Sequence, residues 1–113
     1  MKLKEIIEKL ELSVRCDENN LDRDVTSGCA SDMLSNVIAY SKKCDVWVTI
    51  QVHANIVAVA VLKELAAIII VQGREPAYDT IQKAKEENIP ILVSKLSTFE
   101  LVGKLYELGI GKE

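Results

Sequence analysis

The segment AAIIIV at 66–71 does most to limit how this chain can fold. Even when extended back to Leu65 it falls far short of the roughly 20 apolar residues that a bilayer crossing needs. It ends at Gln72-Gly73, a pair suited to a turn. A strand that is apolar at every position, not at every second one, is covered on both faces. That is the condition of a central strand in a parallel sheet, so the rest of the chain must supply flanking strands and helices for both faces.

Those elements can be read around it. Ile6, Ile7 and Leu10 in a Lys/Glu background, with Glu5 and Lys9 at i,i+4, predict a short amphipathic first helix. LSVRC at 12–16 suits a brief strand, and DENNLDRD at 17–24 is polar and turn-rich enough for a loop. From Val25 an extended segment is expected to end at Gly28 and Ala30, with Ser31 or Asp32 as N-cap to a helix carrying Met33, Leu34, Val37 and Ile38. DVWVTIQV at 45–52 predicts the third strand, and Asn55 stands where it can cap a buried helix over 56–65.

After the central strand, Pro76 suits the first turn of a helix that turns Ile81 and Ala84 inward, pairs Lys83 with Glu87 and ends at Asn88. A strand follows at 91–93. Ser97 and Glu100 have capping-box spacing ahead of a last helix with Leu101, Leu105 and Leu108, which Gly109 stops. Strand and helix alternate through 45–108, which predicts an α/β fold with a mostly parallel sheet flanked by helices. No repeat or linker divides the 113 residues, so one domain over 1–113 is expected.

Composition excludes several partners. The net charge is −3, and Lys and Arg are interspersed with Glu and Asp, so no basic stripe marks a nucleic-acid binder. The opening MKLKEIIEKLEL carries Glu5, Glu8 and Glu11, which a secretory segment would not, and no run is fit for a membrane. A cytoplasmic location is the expectation. Cys16, Cys29 and Cys44 lack the close C-x-x-C pairing of zinc or redox sites, consistent with thiols in a reducing compartment.

In open α/β sheets, ligands bind beyond the carboxyl ends of the strands, where loops diverge and helix N-termini point N–H groups outward. On this rule the candidate ligand-binding residues are Ser27, Gly28 and Asp32 after the second strand and His53 and Asn55 after the third. Gly73 and Arg74 follow the fourth, and Ser94 and Lys95 leave the fifth on the same edge. Each also has a plainer use. Asp32 and Asn55 are good N-caps, His53 can be a turn residue, Gly73 can serve a permissive backbone, and Arg74 can pair with Glu75 on the surface.

Catalytic patterns are scarce. The single histidine rules out histidine-rich metal clusters, and neither G-x-S-x-G nor G-x-G-x-x-G occurs. Gly109 to Glu113 lacks both the first glycine and the hydroxyl of a phosphate loop, so kinase activity is not expected. No cofactor and no metal site is read. The sharpest enzymatic arrangement that can be built is a Cys29 thiolate with His53 as base and Asp32 as orienter.

The order of segments resembles a DRTGG domain: LDRDVTSG at 21–28, SDMLS at 31–35, WVTIQ at 47–51, His53, NIVAVA at 55–60, IIIVQGREP at 68–76, IPIL at 89–92 and STFE at 97–100. The resemblance covers essentially the whole chain. It implies an α/β fold similar to the N-terminal domains of HPr kinase/phosphorylase and of Mur ligases, with any kinase name reflecting ancestry alone. It also implies the dimerising or regulatory modules that stand beside CBS pairs in regulated pyrophosphatases. One departure falls at Ser27, where the family's first glycine stands. A hydroxymethyl group there narrows the space for an anion but offers a hydroxyl.

Two functions follow as expectations. The first is a non-catalytic regulatory or interaction domain that acts as a homodimer through the Val- and Ile-rich face of 56–62 or an uncovered side of the sheet, with a protein partner of unknown identity. The second is a sensor of a nucleotide or small anionic metabolite at the carboxyl edge. A cysteine-dependent enzyme is the lesser alternative.

Overall fold

The structure, a computed structural model, describes residues 1–16 and 20–112. In chain order the elements are α1 (Leu3–Leu10), β1 (Ser13–Cys16), β2 (Ser27–Ala30), α2 (Leu34–Tyr40), β3 (Asp45–Thr49), α3 (Asn55–Leu62), β4 (Ala67–Ile70), α4 (Tyr78–Glu87), β5 (Ile91–Val93) and α5 (Thr98–Glu107). The strands form one sheet in the order β1-β5-β4-β3-β2. Strands β2 to β5 run parallel, and β1 joins β5 antiparallel with Ser13 opposite Val93. The expected fold class is the one found: a mostly parallel sheet between helices.

The apolar run behaves as its composition demands. Ile69 and Val71 belong to one core with Leu3 and Ile6 of α1 and Leu101 and Leu105 of α5. Ile68 and Ile70 belong to the opposite core with Val37 of α2, Ile56 and Val57 of α3, and Ala84 of α4. All four residues of β4 are fully buried, and each isoleucine so placed contributes about 1.5–3 kcal/mol of burial. Helix α3 lies between α2 and α4, which explains why it is apolar nearly all round. The expectation that its Val- and Ile-rich face forms an interface is corrected: Ile56, Val57, Val59 and Ala60 are core, and only Ala58, Val61 and Leu62 reach the surface.

Helix ends follow the sequence in part. Ser97 caps α5 as expected, accepting the Glu100 N–H at 3.2 Å, while Asn88 closes α4 in the left-handed region. Lys83 meets Glu87 at 3.7 Å. The other expected caps move. Met33 and Ala54 hold the N-cap positions of α2 and α3 without side-chain bonds, and Asn55 is the first residue inside α3. Pro76 is buried two residues before α4.

The polar stretch before β2 is not an open loop. Residues 17–19 of the expected loop lie outside the described residues. Over 21–25 the chain is fastened to the start of α1: the Leu3 N–H donates to the Arg23 carbonyl at 2.9 Å, the Lys4 N–H to the Leu21 carbonyl at 3.0 Å, and the Val25 N–H to the Met1 carbonyl at 2.8 Å. Asp22 and Asp24 pair with Lys4 and Lys2 at 3.2 and 3.1 Å. The Arg23 guanidinium donates to the carbonyls of Ala66 and Asn88, each at 3.0 Å. Ala66 precedes β4 and Asn88 follows α4, so this charged stretch braces the amino edge of the sheet.

Candidate functional site

At the carboxyl edge the loops after β2, β3 and β4 are tied through one residue, Ile50. The Asp32 carboxylate accepts the Ile50 N–H at 2.8 Å and the Thr49 hydroxyl at 2.9 Å, and the Ile50 carbonyl accepts from the Arg74 guanidinium at 2.7 Å. Gln51 donates its side-chain amide to the Asp32 carbonyl at 2.9 Å. Beneath them Trp47, fully buried, donates its indole N–H to the Ser31 carbonyl at 2.8 Å. The geometry explains why Asp32 does not cap α2: both bonds of its carboxylate go to the end of β3. It also corrects the expected Arg74–Glu75 pair, because Arg74 turns to Ile50 while Glu75 takes Arg15.

Beside this network lies a groove of about 410 Å³, between the end of α1, β1, and the loops that follow β4 and β5. Gly73 forms part of its floor with φ +65°, preceded by Gln72 in the same left-handed region. Two such residues in succession turn the chain so that the Gln72 and Gly73 N–H groups reach the carbonyls of Leu96 and Ser94, both at 2.8 Å. Glycine at 73 meets the expected need for a permissive backbone. Arg15 crosses the groove to grip Glu75 with two bonds of 2.6 and 2.8 Å. This hydrogen bond holds the Glu75 carboxyl below its ordinary range and raises Arg15 further above its own.

The seven expected site residues therefore divide. Asp32, His53, Asn55, Gly73 and Arg74 share the carboxyl edge, with His53 and Asn55 exposed in the connection from β3 into α3. Ser27 and Gly28 do not, and their expected position after the second strand is corrected. They open β2 at its amino end, paired with Asp45 and Val46. Gly28 has no left-handed backbone to provide for, and a Cβ there would meet Val46 at an ordinary 3.5 Å. Gly28, expected at the end of the second strand, thus holds an ordinary position within it. Arg15 and Lys9 entered no sequence-derived site, because only the antiparallel docking of β1 on β5 brings them to this edge.

Near the opposite edge, Gly28 and Ala30 of β2 and Val102, Leu105 and Tyr106 of α5 wall an apolar groove of about 200 Å³. Cys29 is half-buried against the core beneath α2 to α4. Burial first, and the charge of Asp45 second, push its thiol pKa up. A nucleophilic thiol needs the reverse shift. Asp32 is bonded to Thr49 and Ile50, and among the described residues no hydrogen bond joins His53 to Asp32 or to Cys29. No group of three or more metal-ligating side chains occurs among the described residues, and no helix among them is long and apolar enough to cross a membrane.

The same fold occurs in a solved structure of the CBS and DRTGG domains of the regulatory region of Clostridium perfringens pyrophosphatase, complexed with its activator diadenosine tetraphosphate. The two share 16% identity with a TM-score of 0.68 over 90% of this chain and 44% of that one, so the present chain spans less than half of its neighbour. No curated protein matches the chain. The family model for the DRTGG domain matches residues 5–108, nearly everything from α1 to the end of α5, and the chain belongs to the DRTGG domain family.

Proposed function

We propose that the chain is a non-catalytic regulatory module of the cytoplasm that works as a homodimer. The observation that carries this reading is the outer edge of β2. Ser27–Ala30 bonds to β3 on one side, and among the described residues no strand lies on the other. Exposed edges are usually blunted by Lys, Pro or a bulge, and SGCA has none of these. Next to it, Phe99, Val102 and Tyr106 share one face of α5 at i, i+3 and i+7, and Phe99 is 90% exposed. A second copy related by a twofold axis would satisfy the edge of β2 with its own β2 and cover both stripes.

The regulatory part of the reading draws support from the neighbouring structure, a regulatory region. The non-catalytic part draws support from a sequence without a phosphate loop and a Cys29 kept as thiol. Light scattering on the eluting protein tests the assembly: the mass of two chains is expected from micromolar to millimolar concentration, and one chain after Ala30→Lys with Phe99→Glu. A wild-type protein of single-chain mass throughout would remove the homodimer.

A second reading, sensing of a nucleotide or other small anion, is favoured by the wide groove next to Arg74 and Gly73. Of the sequence-derived candidates Gly73 lines this groove, while Asp32, His53, Asn55 and Arg74 stand on the loops that follow β2, β3 and β4. Ligand binding to the folded state alone raises the melting temperature by mass action, so a thermal-shift panel of phosphorylated metabolites tests it. An unmoved transition at millimolar ligand would exclude it.

A further inference from the structure

The wide groove gathers charge of the sign opposite to that of the chain. Lys9, Arg15, Lys95 and Lys104 line it against only Glu11 and Glu75, in a protein whose net charge is −3. Among the described residues the three lysines make no ion pair, although every other groove charge with a partner has a definite one: Arg15 and Glu75 hold each other. Unpaired ammonium groups converging from α1, α5 and the loop after β5 keep the potential of the concavity positive. No aromatic ring lines the groove, so it offers no platform on which a nucleobase could stack. What it can recognise is negative charge on compact oxygen groups.

We propose that this groove binds a small di- or polyphosphorylated anion through its phosphate oxygens, held by Lys9, Lys95 and Lys104, with Arg15 released to it by Glu75. The inference rests on the anion-sensing reading and deepens it by naming both the place and the chemistry. Glu75 acts as an internal stand-in. Its carboxylate occupies both arms of the Arg15 fork, the geometry that a phosphate would take over. Exchange keeps the guanidinium paired at every stage, and the displaced Glu75, more than half exposed, is left in water.

Inorganic pyrophosphate, adenosine diphosphate and adenosine are titrated into the intact chain by calorimetry and thermal shift, at matched ionic strength. Pyrophosphate is expected to bind, adenosine not to bind, and adenosine diphosphate to bind no more tightly than pyrophosphate. The Lys95→Gln/Lys104→Gln variant should weaken pyrophosphate binding by about tenfold or more, since each charged hydrogen bond lost is worth at least that factor. Glu75→Gln should tighten it several-fold, and Lys83→Gln/Lys85→Gln on α4 should leave it unchanged. Pyrophosphate binding that survives in the Lys95/Lys104 variant overturns the groove. If that binding is instead lost in Arg74→Ala, sensing at the carboxyl edge stands without the groove. Absence of binding by any anion overturns both.

Discussion

Asp45 is the least comfortable residue in the fold. It is 2% exposed; one carboxylate oxygen accepts the Lys42 N–H at 2.8 Å and the other has no partner among the described residues. Burial outweighs that bond and the nearby lysines and raises its pKa. A carboxyl raised on folding contributes most when both states are protonated, and its contribution is lost as pH rises through the folded value. Asp45→Asn is therefore expected to raise the melting temperature at pH 7 and to flatten its dependence on pH above the ordinary carboxylate range. Melting curves from pH 4 to 8 check this, and an unchanged slope would refute it. Glu75 has the opposite sign, since its pKa is lowered by Arg15: the pair contributes above the ordinary range and is lost as pH falls through the folded value. Being largely exposed, it adds little to stability. None of this was legible in the sequence, because a lone Asp before an apolar strand looks like an ordinary boundary residue until its second oxygen is seen to be buried.

At the scale of elements, the order of strands and helices was legible wherever period, caps and breakers agreed. β4 was announced by its unbroken apolar run and α5 by Ser97 with Glu100. The composition of 21–24 is that of a loop, yet the segment is an anchor joining α1, β4 and the end of α4. Composition records the polarity of a side chain and not its partner, and the partners of Arg23 lie some 40 to 65 residues away. Removing the guanidinium leaves the carbonyls of Ala66 and Asn88 without these bonds. Arg23→Ala should then lower unfolding free energy by about 1–3 kcal/mol, with Arg23→Lys intermediate because an ammonium cannot span both acceptors. Urea titrations of the three proteins measure the order. The misplacement of Ser27 and Gly28 has a related cause: the small residues Gly28 and Ala30 predict the end of the second strand, whereas β2 begins at Ser27, so two residues assigned to the functional edge lie at the other end of the strand.

At the scale of the whole molecule, one face of the sheet depends on α1. Leu3 and Ile6 are fully buried, worth about 1.5–3 kcal/mol each, against a total of about 5–15 kcal/mol for a domain of ordinary stability. Deleting residues 1–11 should therefore abolish cooperative unfolding, seen as a lost near-ultraviolet dichroism signal and a broad urea transition. Retention of a sharp transition would show that α5 alone can cover the face. The wide groove belongs to this scale too, since α1, β1, α5 and two loops meet only after the sheet has closed. Its outermost cations, Lys9 and Lys104, stand 95 positions apart in the sequence, so no local pattern could announce it. The staple at the amino edge also fixes how the domain can be joined to others. The Met1 amino group donates to the Val25 carbonyl at 3.4 Å, and Gly111 lines the same groove as Ser27, so the first residue and the last described turn both lie beside the start of β2. Entry and exit stand side by side, so the domain can be spliced into a surface loop of a host protein, or circularly permuted through a short tether, with its carboxyl edge left unobstructed.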